Sequence, residues 1–187
     1  MTLEMTMHHE PAFIPFDKIP RLRRSVVVTE KIDGTNGVIW ISNDTATIRA
    51  GSRSRWITPE DDNHGFARWV HANADELRAL GPGFHYGEWW GAGIQRRYGL
   101  DHKRFSLFNA GRWTDDVRPK CCHVVPVLAQ GAQEYAVESA LLQLQTNGSI
   151  AVPGFMKPEG IVVYHTASRS LFKVTLEKDD EPKGRVL

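Results

Sequence analysis

The chain has 187 residues, 24% of them charged and 41% hydrophobic, with a formal net charge of +1. That length favours one domain, able to bury roughly 70% of its unfolded surface without a disulfide or metal staple. An aromatic content of 10% with almost no net charge excludes a disordered chain, and no apolar run approaches the ~18 residues of a membrane span.

The N-terminal MTLEMTMHHEPAF has neither a basic n-region nor an apolar h-region, so no signal peptide is read there. Arg21, Arg23 and Arg24 follow as a basic cluster. Ser25–Lys31 opens as a β-branched run and predicts a strand. DGTNG has turn composition, because Gly and Asn tolerate backbone angles that most residues avoid. Val38–Ser42 and Thr45–Ala50 predict a hairpin with Asn43 and Asp44 at its tip. Pro59–Gly65 is a polar loop. Phe66, Trp69, Val70, Ala74, Leu77 and Leu80 recur at helical spacing and predict one helix, stopped by Gly81-Pro82-Gly83. Phe84–Gly87 and Phe105–Ala110 predict further strands, as does Cys121–Val127, with Pro126 placing it at a sheet edge. The only cysteines, Cys121 and Cys122, are sequence neighbours. That is poor geometry for a disulfide and points to a reduced, cytoplasmic protein. Glu134–Thr146 predicts a second helix, ended by Asn147-Gly148. Ile161–His165 and Leu171–Thr175 predict a last strand pair, and EKDDEPKG a charged, frayed tail. Most strands follow one another without a crossover helix, which predicts an α+β fold with largely antiparallel sheets. With no repeat, low-complexity tract or linker, residues 1–187 are read as a single domain.

Five short stretches carry side chains suited to chemistry. Glu30-Lys31-Ile32-Asp33-Gly34-Thr35-Asn36 puts a lysine at a strand end before a glycine turn, a position at the mouth of a cleft. Gly51-Ser52-Arg53-Ser54-Arg55 is basic and follows a strand. Phe84-His85-Tyr86-Gly87-Glu88-Trp89-Trp90-Gly91 sets a carboxylate among aromatics and glycines, where a ligand can approach the backbone closely. Pro158-Glu159-Gly160 opens one strand with an acid, and Leu171-Phe172-Lys173-Val174 sets a lysine amid apolar residues on another. Each stretch alone has an ordinary structural reading, such as a surface lysine before a hairpin or a lysine reaching out of a strand to solvent.

In order along the chain, however, KIDGTN, GSR, HYGE, PEGIV and FKV resemble the nucleotidyltransferase motifs of the covalent lysyl-nucleotidyl enzymes, which are polynucleotide ligases and messenger-RNA capping enzymes. Within them the chain is similar to the RNA ligase 2-like group. Asn36 stands where DNA ligases and capping enzymes usually carry an arginine, GEWWGAGIQRRYG looks like that group's GExxGxGIQ extension, and FSLFNA resembles the aromatic motif that follows. The resemblance spans Val26 to Glu177.

It implies an α+β nucleotidyltransferase (adenylation) domain of ATP-grasp-like type, with largely antiparallel sheets and flanking helices. It also implies an ATP-dependent RNA ligase working in three steps. A lysine takes AMP from ATP, the AMP passes to an RNA 5′-phosphate, and a 3′-hydroxyl displaces it. Lys31 matches the nucleophile. Glu159 matches a carboxylate that engages hydrated Mg²⁺ or Mn²⁺, and Glu88 the position at the ribose hydroxyls. Glu30 and Ile32 fall at the nucleotide, Glu30 toward the adenine amino edge. Asn36 would place phosphate or the 3′-hydroxyl, Lys173 the α-phosphate, and Arg53 a phosphate of nucleotide or RNA. RNA with 5′-phosphate and 3′-hydroxyl ends, nicked or duplex-held, would be gripped by Arg53, Arg55, Arg96, Arg97, Lys103 and Arg104. Asp33 stays open between catalytic support and a turn acceptor. Tyr86 and Phe105 stay open between stacking on adenine and packing in the core.

Two departures stand out. Thr175 occupies the place of a second lysine in the last motif, with Lys178 a candidate to supply the charge instead. Only fourteen residues follow Lys173, so the chain is read as a bare catalytic domain without a C-terminal accessory domain. Two alternatives remain open. One is an adenylyltransferase that modifies itself or 5′-phosphate ends and needs a partner protein for sealing. The other is a catalytically silent nucleotide- or RNA-binding module, against which Lys31, Glu88, Glu159 and Lys173 speak together. The histidines and cysteines lack a metal-ligand spacing, so no structural zinc is expected.

Overall fold

A computed structural model describes residues 12–177 and 179. Residues 1–11, which carry the MTLEMTMHHE sequence, Lys178 and nearly all of the charged tail lie outside the described residues. In chain order the described residues form β1 (Ser25–Lys31), β2 (Thr35–Ile41), β3 (Ile48–Gly51), β4 (Trp56–Ile57), α1 (Phe66–Ala72), α2 (Ala74–Leu77), β5 (Gly83–Gly91), β6 (Lys103–Leu107), β7 (Cys122–Val124), β8 (Val127–Ala132), α3 (Gln133–Asn147), β9 (Gly160–His165) and β10 (Ser170–Thr175). They build two sheets, one of four strands in the order β10-β9-β1-β8 and one of six in the order β4-β3-β2-β5-β6-β7. Every pairing is antiparallel except β6 with β7. The α+β architecture with largely antiparallel sheets is therefore the one observed.

Three apolar clusters hold the layers. Val26, Val28, Ile161 and Val163 of the four-stranded sheet pack with Ala136, Ala140 and Leu144 of α3. Ile39, Ile41, Ala50, Trp89 and Phe105 of the larger sheet pack with Phe66, Ala67, Val70 and Leu77 of α1 and α2. A third cluster, Ile32, Trp90, Tyr98 and Val125, lies where the chain passes between sheets. It passes once at Ile32-Asp33-Gly34, between β1 and β2, and returns at Val125-Pro126, between β7 and β8. The return is tied to both sheets, because the Val125 N–H donates to Leu107 O and the Glu30 N–H to Pro126 O.

Several boundaries differ from the sequence reading. Thr35, Asn36 and Gly37 belong to β2 and not to a turn, because their backbones pair with Trp89, Glu88 and Gly87 of β5. The hairpin tip is the longer Ser42–Thr47 loop, closed by the Ser42 N–H to Thr47 O bond. The single helix over Phe66–Leu80 is broken at Asn73, whose side-chain amide donates to Trp69 O at 2.8 Å and whose backbone leaves the helical region. This is the usual competition of a short polar side chain with the helix. The Cys121–Val127 strand is two strands in different sheets. β7 is an edge strand as expected, but Val125-Pro126 is the crossing, and β8 carries too few β-branched residues to announce itself.

Candidate active site

Strand periodicity builds the site. Along β1, Val26, Val28 and Glu30 are buried while Val27, Thr29 and Lys31 face the other way and are half-buried. Lys31 is the last residue before the crossing. Its Nζ lies 2.5 Å from Oε2 of Glu159, the residue that precedes β9, and the two side chains are 22% and 8% exposed. Lys31 pairs in register with Gly160, and Gly160 with Thr175, so the three share a row and a face. The next row on that face holds Thr29, Val162 and Lys173, which puts exposed Lys173 on the same side of the sheet as Lys31. Gly160 is required here. A Cβ on it would lie 2.1 Å from Val174 O, and its φ is +153°.

From the other sheet, Asn36 of β2 sits opposite Glu88 of β5. The Glu88 carboxylate accepts from the Gly34 N–H at 3.0 Å and from Asn36 Nδ2 at 3.4 Å. Gly34 fits only as glycine, since a Cβ would meet Trp89 O at 2.5 Å and Trp90 Cβ at 2.7 Å. Burial pushes the Glu88 carboxyl up to about 7, against the opposing pull of the Lys31 charge and the Gly34 N–H, while Glu159 and Asp33 push it further up. The Lys31–Glu159 pair and the Gly34 N–H bond to Glu88, on either side of Asp33 in the crossing, join these groups at the seam between the sheets.

The structure places the remaining candidates as follows. Glu30 faces away from Lys31. Its carboxylate accepts from Ser149 Oγ at 2.6 Å and from the N–H groups of Ile150 at 2.8 Å and Ala151 at 2.9 Å. Burial raises this carboxyl and the three bonds oppose that. In this arrangement Glu30 fastens the 149–151 loop, and its oxygens are not in the Lys31 cluster. The Ile32 side chain is buried in the third cluster. Asp33 pairs its carboxylate with Arg96 Nε at 3.2 Å, and its N–H donates to the Tyr98 hydroxyl at 2.8 Å. Phe105 is fully buried between Phe66 and Trp69, so it belongs to the core, whereas Tyr86 is 54% exposed.

The six basic residues divide in two. Arg53 and Arg97 are exposed with no ion-pair partner among the described residues. The others are engaged within the protein. Arg55 makes a two-pronged pair with Asp61. Arg96 holds Asp33 and lies 3.7 Å from Glu177. Lys103 donates to His64 O at 2.8 Å, and Arg104 lies over the Trp90 ring. Tyr98 and Ser149 were not singled out in the sequence. Tyr98 has its signal in the aromatic end of the GEWWGAGIQRRYG stretch. Ser149, just past a helix-ending Asn-Gly, has none.

Residues 24–175 match the RNA ligase family. Among solved structures the fold is similar to three of Naegleria gruberi RNA ligase. One is an aspartate-to-alanine mutant without ligand, with a TM-score of 0.57, 20% identity, and coverage of 85% of this chain and 52% of that one. One is an arginine-to-alanine mutant with ATP and Mn, at 0.56, 19%, 82% and 50%. The third is a lysine-to-methionine mutant with AMP and Mn, at 0.55, 19%, 87% and 53%. This chain thus spans about half the length of these ligases. No curated protein matches it. The match covers most of the chain and includes Lys31, Glu88, Glu159 and Lys173, and the chain belongs to the RNA ligase family.

Proposed function

We propose that this chain is the nucleotidyltransferase domain of an ATP-dependent RNA ligase that seals 5′-phosphate and 3′-hydroxyl ends through a lysyl-AMP intermediate. The observation that carries the reading is the convergence of Lys31, Glu159, Glu88 and Asn36 from two sheets, with Lys173 on the Lys31 face. A silent binding module has no use for a half-buried lysine at a strand end paired to a buried acid.

In this reading Lys31 Nζ forms a bond to the α-phosphorus of ATP, and the bond to pyrophosphate breaks. An amine attacks only when neutral, and a free lysine is neutral about one time in a few thousand at pH 7. Glu159, within hydrogen-bond distance, fixes the direction of Nζ and is the nearest acceptor for the proton that the ammonium loses before it attacks. Lys173 stabilises charge on the α-phosphate as phosphorus becomes five-coordinate. Glu88 accepts ribose hydroxyls, and Asn36 orients phosphate or the 3′-hydroxyl in the last step. The donor set for a metal is one buried carboxylate, Glu159. That fits a Mg²⁺ or Mn²⁺ that keeps most of its waters, and such an ion would neutralise phosphate charge. ATP with Mn in one structural relative and AMP with Mn in another support this choice of co-substrate and ion class. The test is incubation with ATP labelled at the α-phosphate and Mg²⁺ or Mn²⁺, followed by denaturing electrophoresis. A chelator-sensitive, acid-labile label on the protein supports the reading, and no label under any condition overturns it.

One observation favours a second reading within the same chemistry. Thr175 stands in the Lys31 row where the resemblance expects another lysine. An adenylyltransferase that activates 5′-phosphates and leaves sealing to a partner would need that charge less. Accumulation of 5′-adenylated RNA without sealed product distinguishes it.

A further inference from the structure

The face of the six-stranded sheet that carries Glu88 and Asn36 continues away from them as a row of exposed rings. On β5 the residues two and four before Glu88 are Tyr86 and Phe84, so both share its face, Tyr86 about 7 Å along the strand. Trp56 of β4 lies across Gly51, which has no side chain to separate it from Val38 and Tyr86. The rings of Trp56 and Phe84 are 6.2 Å apart and within 25° of parallel, and those of Phe84 and Tyr86 are 6.2 Å apart and within 14°. Trp56, Phe84 and Tyr86 are 40%, 53% and 54% exposed. Single exposed apolar residues are ordinary, but three adjacent parallel rings on an open sheet face mark a binding surface.

We propose that Trp56, Phe84 and Tyr86 form a stacking platform for unpaired RNA bases beside the end being joined, with Arg49 and Arg53 meeting the phosphates of the same strand. This rests on the reading of the chain as an RNA ligase. Three features select the occupant. Parallel ring faces suit bases, which stack on aromatics with little regard to sequence. The basic residues are in place. The Arg49 guanidinium sits 4.4 Å from the Trp56 ring centre. Arg53 is exposed, and neither arginine has an acidic partner among the described residues. The platform is also continuous with Glu88, so a strand lying on it leads into the catalytic seam. A second copy of the chain seated on the same patch would bring like charges together across a two-fold contact.

The test measures binding of the full chain to a fluorescein-labelled short oligoadenylate, and to a blunt RNA duplex, by anisotropy across a salt series. Phe84→Ala and Trp56→Ala are expected to weaken single-strand binding at least about fivefold, with duplex binding and the salt slope unchanged. Phe84→Tyr is expected to keep the affinity. Arg53→Ala is expected to lower the salt slope by about 0.7. Melting temperature and far-ultraviolet circular dichroism of each variant check that it folds. Unchanged single-strand affinity in both alanine variants overturns the platform, as does an equal loss on duplex. So does a result in which the substitutions only dissociate a dimer. If the unaltered chain forms no lysyl-AMP the ligase reading fails, while the titration still decides the platform by itself.

Discussion

Lys31 Nζ and Glu159 Oε2 are 2.5 Å apart although 128 residues separate them in sequence. The pair closes the seam between β1 and β9 at the point where the chain leaves one sheet for the other. A half-buried lysine paired to a buried acid is held in one direction, which is what an attack on phosphorus needs.

Lys31→Ala and Lys31→Arg are therefore expected to abolish covalent AMP attachment with the fold retained, since a guanidinium stays protonated and cannot act as the nucleophile. Glu159→Ala is expected to lower the adenylation rate by the equivalent of ~3–4 kcal/mol, the usual effect of removing one preorganised electrostatic partner. Quantified α-phosphate labelling checks all three, with melting curves beside it. Lys31→Ala is further expected to seal a nick that is already 5′-adenylated, because that step does not use the lysine as nucleophile.

Glu88 makes a pH-dependent prediction. Its folded-state value, near 7, lies above the 4.5 of an unfolded glutamate. Between those values the folded state binds more protons, so this group's contribution to stability is full below about pH 4.5 and declines as pH rises toward 7. The decline is about 3–4 kcal/mol at most, at about 1.4 kcal/mol per unit. Glu88→Gln removes it, so the melting temperature of the variant relative to the parent is expected to rise from pH 5 to pH 8. The amide oxygen can still accept from Gly34, and Asn36 can turn its own amide to meet the new NH₂. A parallel pH dependence in both proteins would assign the titration elsewhere. ATP affinity is expected to increase through pH 7 in the parent alone, as the carboxylate becomes a better acceptor for ribose hydroxyls.

The legibility of the fold followed from local chemistry. β1 is legible because three consecutive valines, with Asp33-Gly34 soon after them, leave little choice. β8 is not legible, because VLAQGA shows neither β-branched enrichment nor clear alternation, and it is a strand through its pairing with β1. The helix break is legible only when Asn73 is weighed against six apolar residues at helical spacing. Lys31, Glu88, Glu159 and Lys173 are read from motifs; strand register puts Lys31 and Lys173 on one face, the ion pair adds Glu159, and the Gly34 N–H ties Glu88 to the crossing. Sequence alone does not tell that Arg96, Lys103 and Arg104 are engaged with groups distant in the chain, or that Arg55 turns to Asp61. The Arg96 and Asp33 pairing bridges 63 positions, and nothing local encodes it.

Tyr98 is a buried hinge pin in this arrangement. Its hydroxyl accepts from the Asp33 N–H at the crossing, and its ring packs edge-on to Trp90 at 4.9 Å. Tyr98→Phe keeps the packing but leaves a part-buried N–H unmatched, which costs about 1–3 kcal/mol. The expected outcome is a lower melting temperature, with a larger relative loss in the adenylation rate at saturating ATP than in ATP affinity. The reason is that Asp33 follows Lys31 by two residues and sets the strand-end geometry. Rate and affinity falling together would mean the tyrosine supports the nucleotide and not the nucleophile.

Thr175 offers the last prediction. It shares a row and a face with Lys31 across Gly160, which has no side chain, so nothing from β9 stands between them. Its N–H donates to Asp179 Oδ1 at 2.8 Å and its hydroxyl to the same oxygen at 3.3 Å. Thr175→Lys loses only the second of these bonds and places a cation beside the expected phosphate path. ATP binding is expected to tighten, or the adenylation rate to rise, by several-fold, and the gain should shrink as salt screens the charge. The Asp179 carboxylate competes for the new ammonium, so Thr175→Lys combined with Asp179→Asn is expected to show the larger gain. Rates and ATP affinity measured at two ionic strengths check both variants. A gain that ignores salt, or no gain in the double variant, would show that the Thr175 row does not face the phosphates.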